Sequence, residues 1–285
     1  GVIMIEKNTI CHYLNLDGIR LTLADITDAA LEAAKRHNMS DQATAMLGEI
    51  MAGTAILATD FKNHEGVSLR WDTHGPIGNI HTDAYEGKYL RGYMDHPEAA
   101  GADESILNEH GMLYVTRYSL LRMPYTSSVE LKGHDVSSCL TDYMKESDQT
   151  LSHIQTAVIR DEQGRIQRVF AFMAQLMPQG NKDKFKEYFS VNYHFAGESH
   201  AAESVEDLLK KGKFSLLGKM DVSFRCTCSA DRIKSALLSL NAHDRAEILK
   251  DDKVEATCEY CGSHYSIPRE LVALWFEEEK GSNVQ

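Results

Sequence analysis

Apolar and polar positions along this chain change period several times, and each change predicts an element. In TDAALEAAKRHN (27–38) and SDQATAMLGEIMAGTAILA (40–58), apolar residues recur at three- and four-residue spacing. That spacing predicts two core-packing helices, with Ser40 and Asp41 as caps of the second. Residues 1–60 therefore read as mostly helical after a short first strand. From residue 64 the pattern shortens. VSLRWDTHGPIGNIHTDAYEGKYLRGYMDHP (67–97) breaks into β-prone runs separated by Gly-Pro, Glu-Gly and His-Pro turns, and GMLYVTRYSL and SSVEL continue it. These are the strands of a hairpin-rich sheet. VSSCLTDYMKESDQ (136–149) returns to helical spacing, and HIQTAVIRDEQGRIQRVFAFMAQLMP (153–178) reads as two strands around a Gln-Gly turn. Sheet with segregated helices predicts a mixed α+β core over residues 1–178.

Residues 179–224 lose this regularity. Charge, scattered aromatics and four glycines alternate, which predicts a helical linker with a modest core of its own. Residues 225–285 form a separate small C-terminal domain. There SADRIKSALLSLNAHDRAEILKDD reads as helix, turn, helix, with Ser229 as the first cap. SIPRELVALWFEEE reads as a terminal helix with Pro268 at its start and Ser266 as a cap. Glu277, Glu278 and Glu279 read as a solvated helix face.

Composition narrows the function classes. The net charge is −12, with 30 Lys and Arg against 42 Asp and Glu. That balance argues against nucleic acid or an anionic membrane as the main partner, because phosphate binding needs a Lys/Arg-rich face. No stretch approaches the roughly 20 apolar residues of a membrane span. The N-terminal GVIMIEKNTICHYL lacks the basic and apolar regions of a signal peptide, so a reducing, cytoplasmic compartment is expected. The P-loop, H-E-x-x-H and G-x-S-x-G patterns are all missing from the sequence, and no catalytic constellation emerges.

Six cysteines are too few for a disulfide scaffold, yet four fall in two tight pairs. FRCTCSADR holds Cys226 and Cys228; TCEYCGSHY holds Cys258 and Cys261, after a gap of 29 residues. Each pair can supply one edge of a tetrahedral Zn²⁺ site, and Gly262 suits the sharp turn after Cys261. A module of this size buries too little core unaided, so a metal staple would matter. The competing readings are a zinc-stapled interaction module and a thiol oxidoreductase using Cys258 and Cys261. The latter wants its C-x-x-C at a helix start inside a βαβ unit, and a turn followed by SHYSIP is not that context. His264 reads as a surface or neighbouring group, and Cys11 and Cys139 as core thiols.

With those residues in view, the chain resembles the heat-shock protein 33 family of redox-regulated holdase chaperones. The match lies in FRCTCSADR and CEYCGSHY, in GPIGNIHTDAYEGKYLRGYMDHP, and in the order of elements over nearly the whole chain. It departs from the family pattern at AFMAQLMP, at Ser147-Asp148-Gln149 and at Ser127. The resemblance implies one Zn²⁺ held by Cys226, Cys228, Cys258 and Cys261 in the reduced state, and no enzymatic activity. On oxidation it implies disulfides Cys226–Cys228 and Cys258–Cys261, zinc loss and a homodimer. Loosening of 179–224 would then present Phe185, Tyr188, Phe189, Tyr193, Phe195, Leu208, Leu209, Phe214, Leu216 and Leu217 to unfolding client proteins, without ATP.

Overall fold

In the computed structural model, residues 5–60, 62–100, 111–132, 135–195 and 203–282 are described; residues 1–4 of the N-terminal stretch lie outside them. The chain divides into two compact units, Gly1–Arg225 and Cys226–Gln285.

The first unit opens with a hairpin, β1 (Thr9–Leu14) and β2 (Ile19–Asp25), where the sequence predicts mostly helix after one short strand. The Asn15 side chain closes the turn by accepting from the amides of Asp17 and Ile19, and Gly18 supplies a φ of 72°. Helices α1 (Thr27–Arg36) and α2 (Asp41–Leu57) follow, and the Ser40 hydroxyl caps α2 at the Ala43 amide as its sequence position suggests. Helix α2 is buried nearly all round, because it lies between two sheets and packs on strands of both. Its glycines permit the approach: a β-carbon at Gly53 would sit 2.3 Å from Leu140 Cδ1.

Five strands of a six-stranded sheet follow: β3 (Glu65–Asp72), β4 (Asn79–Tyr85), β5 (Tyr89–Met94), β6 (Met112–Ser119) and β7 (Tyr125–Glu130). Helix α3 (Val136–Tyr143) is capped by Asp135 and ends in a single π turn. Strands β8 (Ser152–Arg160) and β9 (Ile166–Leu176) join the first hairpin, around the expected Gln163-Gly164 turn. The mixed α+β core and its hairpin-rich sheet are thus as the sequence predicts.

The segment after Pro178 supplies α4 (Lys182–Tyr188), α5 (Val205–Lys211), β10 (Ser215–Asp221) and β11 (Ser223–Phe224). Both strands extend the sheets, giving orders β10-β1-β2-β9-β8 and β11-β5-β4-β3-β6-β7. The α4–α5 stretch covers the outer face of the five-stranded sheet. Phe185, Tyr193, Phe195, Val205, Leu208 and Leu209 are buried there against Ile19, Leu21, Leu23, Phe170, Phe172 and Ala174. Two expected linker residues differ. Leu216 and Leu217 are already 56% and 62% exposed, because they lie on edge strand β10 rather than under the cover.

The second unit holds α6 (Ala230–Leu238), α7 (Ala242–Ile248), the hairpin β12 (Lys253–Thr257) and β13 (His264–Pro268), and α8 (Arg269–Ser282). Ser229 caps α6 as expected. Ser266 does not cap α8: it pairs with Glu255 in the hairpin, and Pro268 ends β13 directly before the helix. Glu278 and Glu279 are not merely solvated, since they pair with Lys234 of α6 and Arg245 of α7. Among the described residues, the buried core cluster of this unit is Leu237, Ile267, Val272 and Phe276, a small core for an independent fold.

Candidate metal centre

The β12–β13 hairpin places Cys258 and Cys261 in its turn. The Gly262 amide donates to the Cys258 carbonyl at 2.7 Å and the Cys258 amide to the Ser263 carbonyl at 2.9 Å. Closing the turn this tightly requires Gly262 at φ 73°, which only glycine adopts without strain. Cys226 and Cys228 come from the irregular segment that ends at the α6 cap, and the extended C-x-C stretch turns both sulfurs to the same side.

All four Sγ atoms lie within 4.8 Å of one another. Cys226 and Cys258 sulfurs are 3.6 Å apart, and those of Cys228 and Cys261 are 3.3 Å apart. A tetrahedron of sulfurs around a metal at about 2.3 Å has edges of about 3.8 Å, so the cluster needs only small adjustments to hold an ion. The donor set is all thiol and compact, and it could hold a soft or borderline metal ion. The Tyr265 hydroxyl donates to Cys228 Sγ at 3.2 Å, the outer-layer bond that orients a ligand sulfur.

The local electrostatics are uneven. Burial raises the Cys258 thiol to about 12, against the pull of the Cys261 amide. Burial also acts to raise Cys261, but bonding with the Ser263 side chain and amide and with Cys228 and Cys258 outweighs it and brings this thiol down to about 6. Cys228 is raised by burial, opposed by the Tyr265 hydroxyl. Cys261 thus carries negative charge more readily than Cys228 or Cys258.

His264 stands apart, as its sequence position suggests. Its Nδ1 lies 3.2 Å from Thr257 Oγ1 and its Nε2 3.5 Å from Glu255. Cys11 and Cys139 are buried in the first unit, and burial raises both thiols, Cys139 to about 12. The apolar sheet face beneath the α4–α5 cover is not among the sites the sequence motifs mark. Its signal was present in VFAFMA, an uninterrupted apolar run, because a strand buried on both faces loses its alternation.

The family model described as Hsp33 protein matches residues 9–268. A 33 kDa chaperonin of Thermosynechococcus vestitus is 31% identical over 273 residues, spanning 87% of this chain and 90% of that protein. One from Levilactobacillus brevis is 29% identical over 269 residues, spanning 88% and 91%. The crystal structure of the 33 kDa chaperonin (heat shock protein 33 homolog) from Thermotoga maritima shares the fold. It covers 97% of this chain and 100% of its own, with a TM-score of 0.80 at 21% identity.

Proposed function

The chain belongs to the Hsp33 family of chaperones, and from that premise we propose that it is a redox-regulated, ATP-independent holdase, switched by Cys226, Cys228, Cys258 and Cys261 through one zinc ion. The observation that carries the reading is four sulfurs within 4.8 Å of one another in a unit with only a small apolar core. We assign the work to a chaperone core over 1–178, a linker over 179–224 and a switch domain over 225–285, acting in the reducing cytoplasm on unfolding client proteins.

Zinc, when bound, holds the four sulfurs as thiolates and supplies folding free energy on the order of 10 kcal/mol. The residues do the rest. Hydroperoxide oxidises one thiolate sulfur to a sulfenic acid, and the neighbouring thiolate attacks that sulfur to close a disulfide. Two thiolates give up two electrons per bond. One peroxide, with two protons from water, becomes two molecules of water. In this reading Cys226 pairs with Cys228, and Cys258 with Cys261. Sulfurs tied in S–S bonds no longer serve as ligands, so the small core of Leu237, Ile267, Val272 and Phe276 is left to hold the unit alone. Strand β11 ends at Phe224, two residues before Cys226, so unfolding there frees the downstream end of the linker. Lifting α4 and α5 then bares Phe170, Phe172 and Leu21 together with the linker's own Phe185 and Leu208. Apolar surface on this scale binds other exposed apolar surface, and the oxidised chain pairs as a homodimer by the same attraction.

The test is light scattering from a thermally unfolding client, with the full chain added reduced and zinc-loaded or after peroxide at elevated temperature, alongside the zinc released per chain. Suppression by the oxidised sample alone, with one zinc released, is the expected outcome. Zinc that survives peroxide with no suppression leaves a structural staple. Catalysed thiol–disulfide exchange without stoichiometric zinc makes the chain an oxidoreductase instead.

A further inference from the structure

Besides strands β10 and β11 and its buried side chains, the linker is held to the sheet by a side chain imitating a strand. Gln155, on the outer face of β8, accepts from the Tyr193 amide through Oε1 at 2.9 Å and donates through Nε2 to the Tyr193 carbonyl at 2.8 Å. One residue of the linker backbone is thereby satisfied in both directions, as it would be in a ladder. The same Oε1 lies 3.1 Å from Nε2 of His153, two residues earlier on the same face. Because Oε1 can only accept, Nε2 of His153 carries the hydrogen and Nδ1 is the free basic position.

We propose that Gln155 is the latch that positions the linker over the sheet, and that His153 makes this latch open on protonation. The idea rests on the reading of the covered sheet face as the client surface. The imidazole is wedged between the two parts that must separate. Its ring stacks at 5.3 Å on Phe189, at the end of α4, and meets Phe172 of β9 in a tilted contact at 5.8 Å. A proton added at Nδ1 would place a cation between the fully buried Phe172 of the sheet and the half-buried Phe189 of the linker. Solvent reaches the ring through a cleft of about 480 Å³ lined by Asp135, Ser138, Asp142, His153 and Asn192.

Burial of the ring sets the direction of the effect, against the charges in the cleft. The charged residues of the cleft are Asp135, the cap of α3, and Asp142 within it; the 189–195 segment presents Asn192 and the Tyr193 backbone. Strand β9 and the end of α4 present Phe172 and Phe189. Burial lowers the His153 pKa below its ordinary 6.5, opposed by the bond to Gln155. The docked state therefore favours the neutral ring. Docking is fully present above the free imidazole value and is lost as pH falls through 6.5 toward the docked value.

The experiment is hydrogen exchange at the Tyr193 amide of the full, reduced, zinc-loaded chain between pH 7.5 and 5, each rate divided by the intrinsic rate at that pH. Bis-ANS fluorescence and client light scattering run in parallel. Wild type is expected to lose Tyr193 protection below pH 6.5, and His153→Phe, which keeps the stacked ring, to retain it. Gln155→Leu is expected to lose roughly tenfold or more at every pH, from two forfeited hydrogen bonds. If Gln155→Leu fails to fold, Gln155→Glu keeps the acceptor, lacks the amide donor to the Tyr193 carbonyl, and gives the same readout. A pH profile unchanged by His153→Phe, or full protection in the Gln155 variant, overturns the latch. Loss of Tyr193 protection in acid without any gain in client holding leaves the latch standing and removes the sheet face as the client surface.

Discussion

Leu208→Ala separates a linker that docks from one that is simply part of the core. Leu208 is fully buried in α5, beside Val205 and Leu209, against the outer face of the five-stranded sheet. Truncating a buried leucine to alanine costs about 2–5 kcal/mol, set by how far the site collapses. A central value of about 3 kcal/mol corresponds to roughly a hundredfold in an opening equilibrium. If the linker opens as a local unit, that whole factor falls on its own amides. The Leu208 and Gly212 amides, which donate to the Ser204 and Leu208 carbonyls, should exchange about a hundredfold faster. Amides of β3 and β6 should keep their protection. The reduced, zinc-loaded variant should also hold a thermally unfolding client without oxidant. Leu217→Ala, at a residue already 62% exposed, is the control and should change none of these. Equal loss of protection in α5, β3 and β6 would refute the argument, because unit one would then open as a whole and the linker could not act as a separate switch element.

Tyr265→Phe removes the hydroxyl that donates to Cys228 Sγ; metal affinity by competitive chelation should fall about tenfold, with the fold intact by circular dichroism. Gly262→Ala forces a β-carbon onto a backbone at φ 73°; it should destabilise the second unit by about 1 kcal/mol or more, seen as earlier metal loss on heating. Ser40→Ala deletes the α2 cap on the Ala43 amide; a loss of about 1 kcal/mol in chemical denaturation is expected. Asp207 reaches back to the Ser204 amide in a capping box, and bonds from the Ser204 side chain and amide lower its pKa below 3.8. Its contribution to α5 is therefore present above that value and lost as pH falls through it toward the lowered value, so α5 amides should lose protection in acid before those of β4.

Much of the architecture was legible because local rules dictated it. Ser40, Ser229, Gln163-Gly164 and Gly262 each act within a few residues of their own position, where capping and turn chemistry operate. The opening hairpin was less legible. TICHYL and IRLTLAD are short, and their identity as strands comes from pairing with β9 and β10, far along the chain. Ser266 was misplaced for the same reason: its partner, Glu255, lies across a hairpin.

The candidate site divides along the same line. Cysteine spacing by itself identified the four thiols as one compact chemical unit, because a tetrahedral donor set restricts how ligands can be spaced in sequence. It also carried the resemblance that the family match bears out. Only the tertiary structure decided that Tyr265 bonds a ligand sulfur and that Leu216 and Leu217 lie outside the covered face. Only it paired Gln155 with the backbone of Tyr193, 38 residues away. Those contacts depend on which faces of distant strands meet, and periodicity records that a face is buried without recording what buries it.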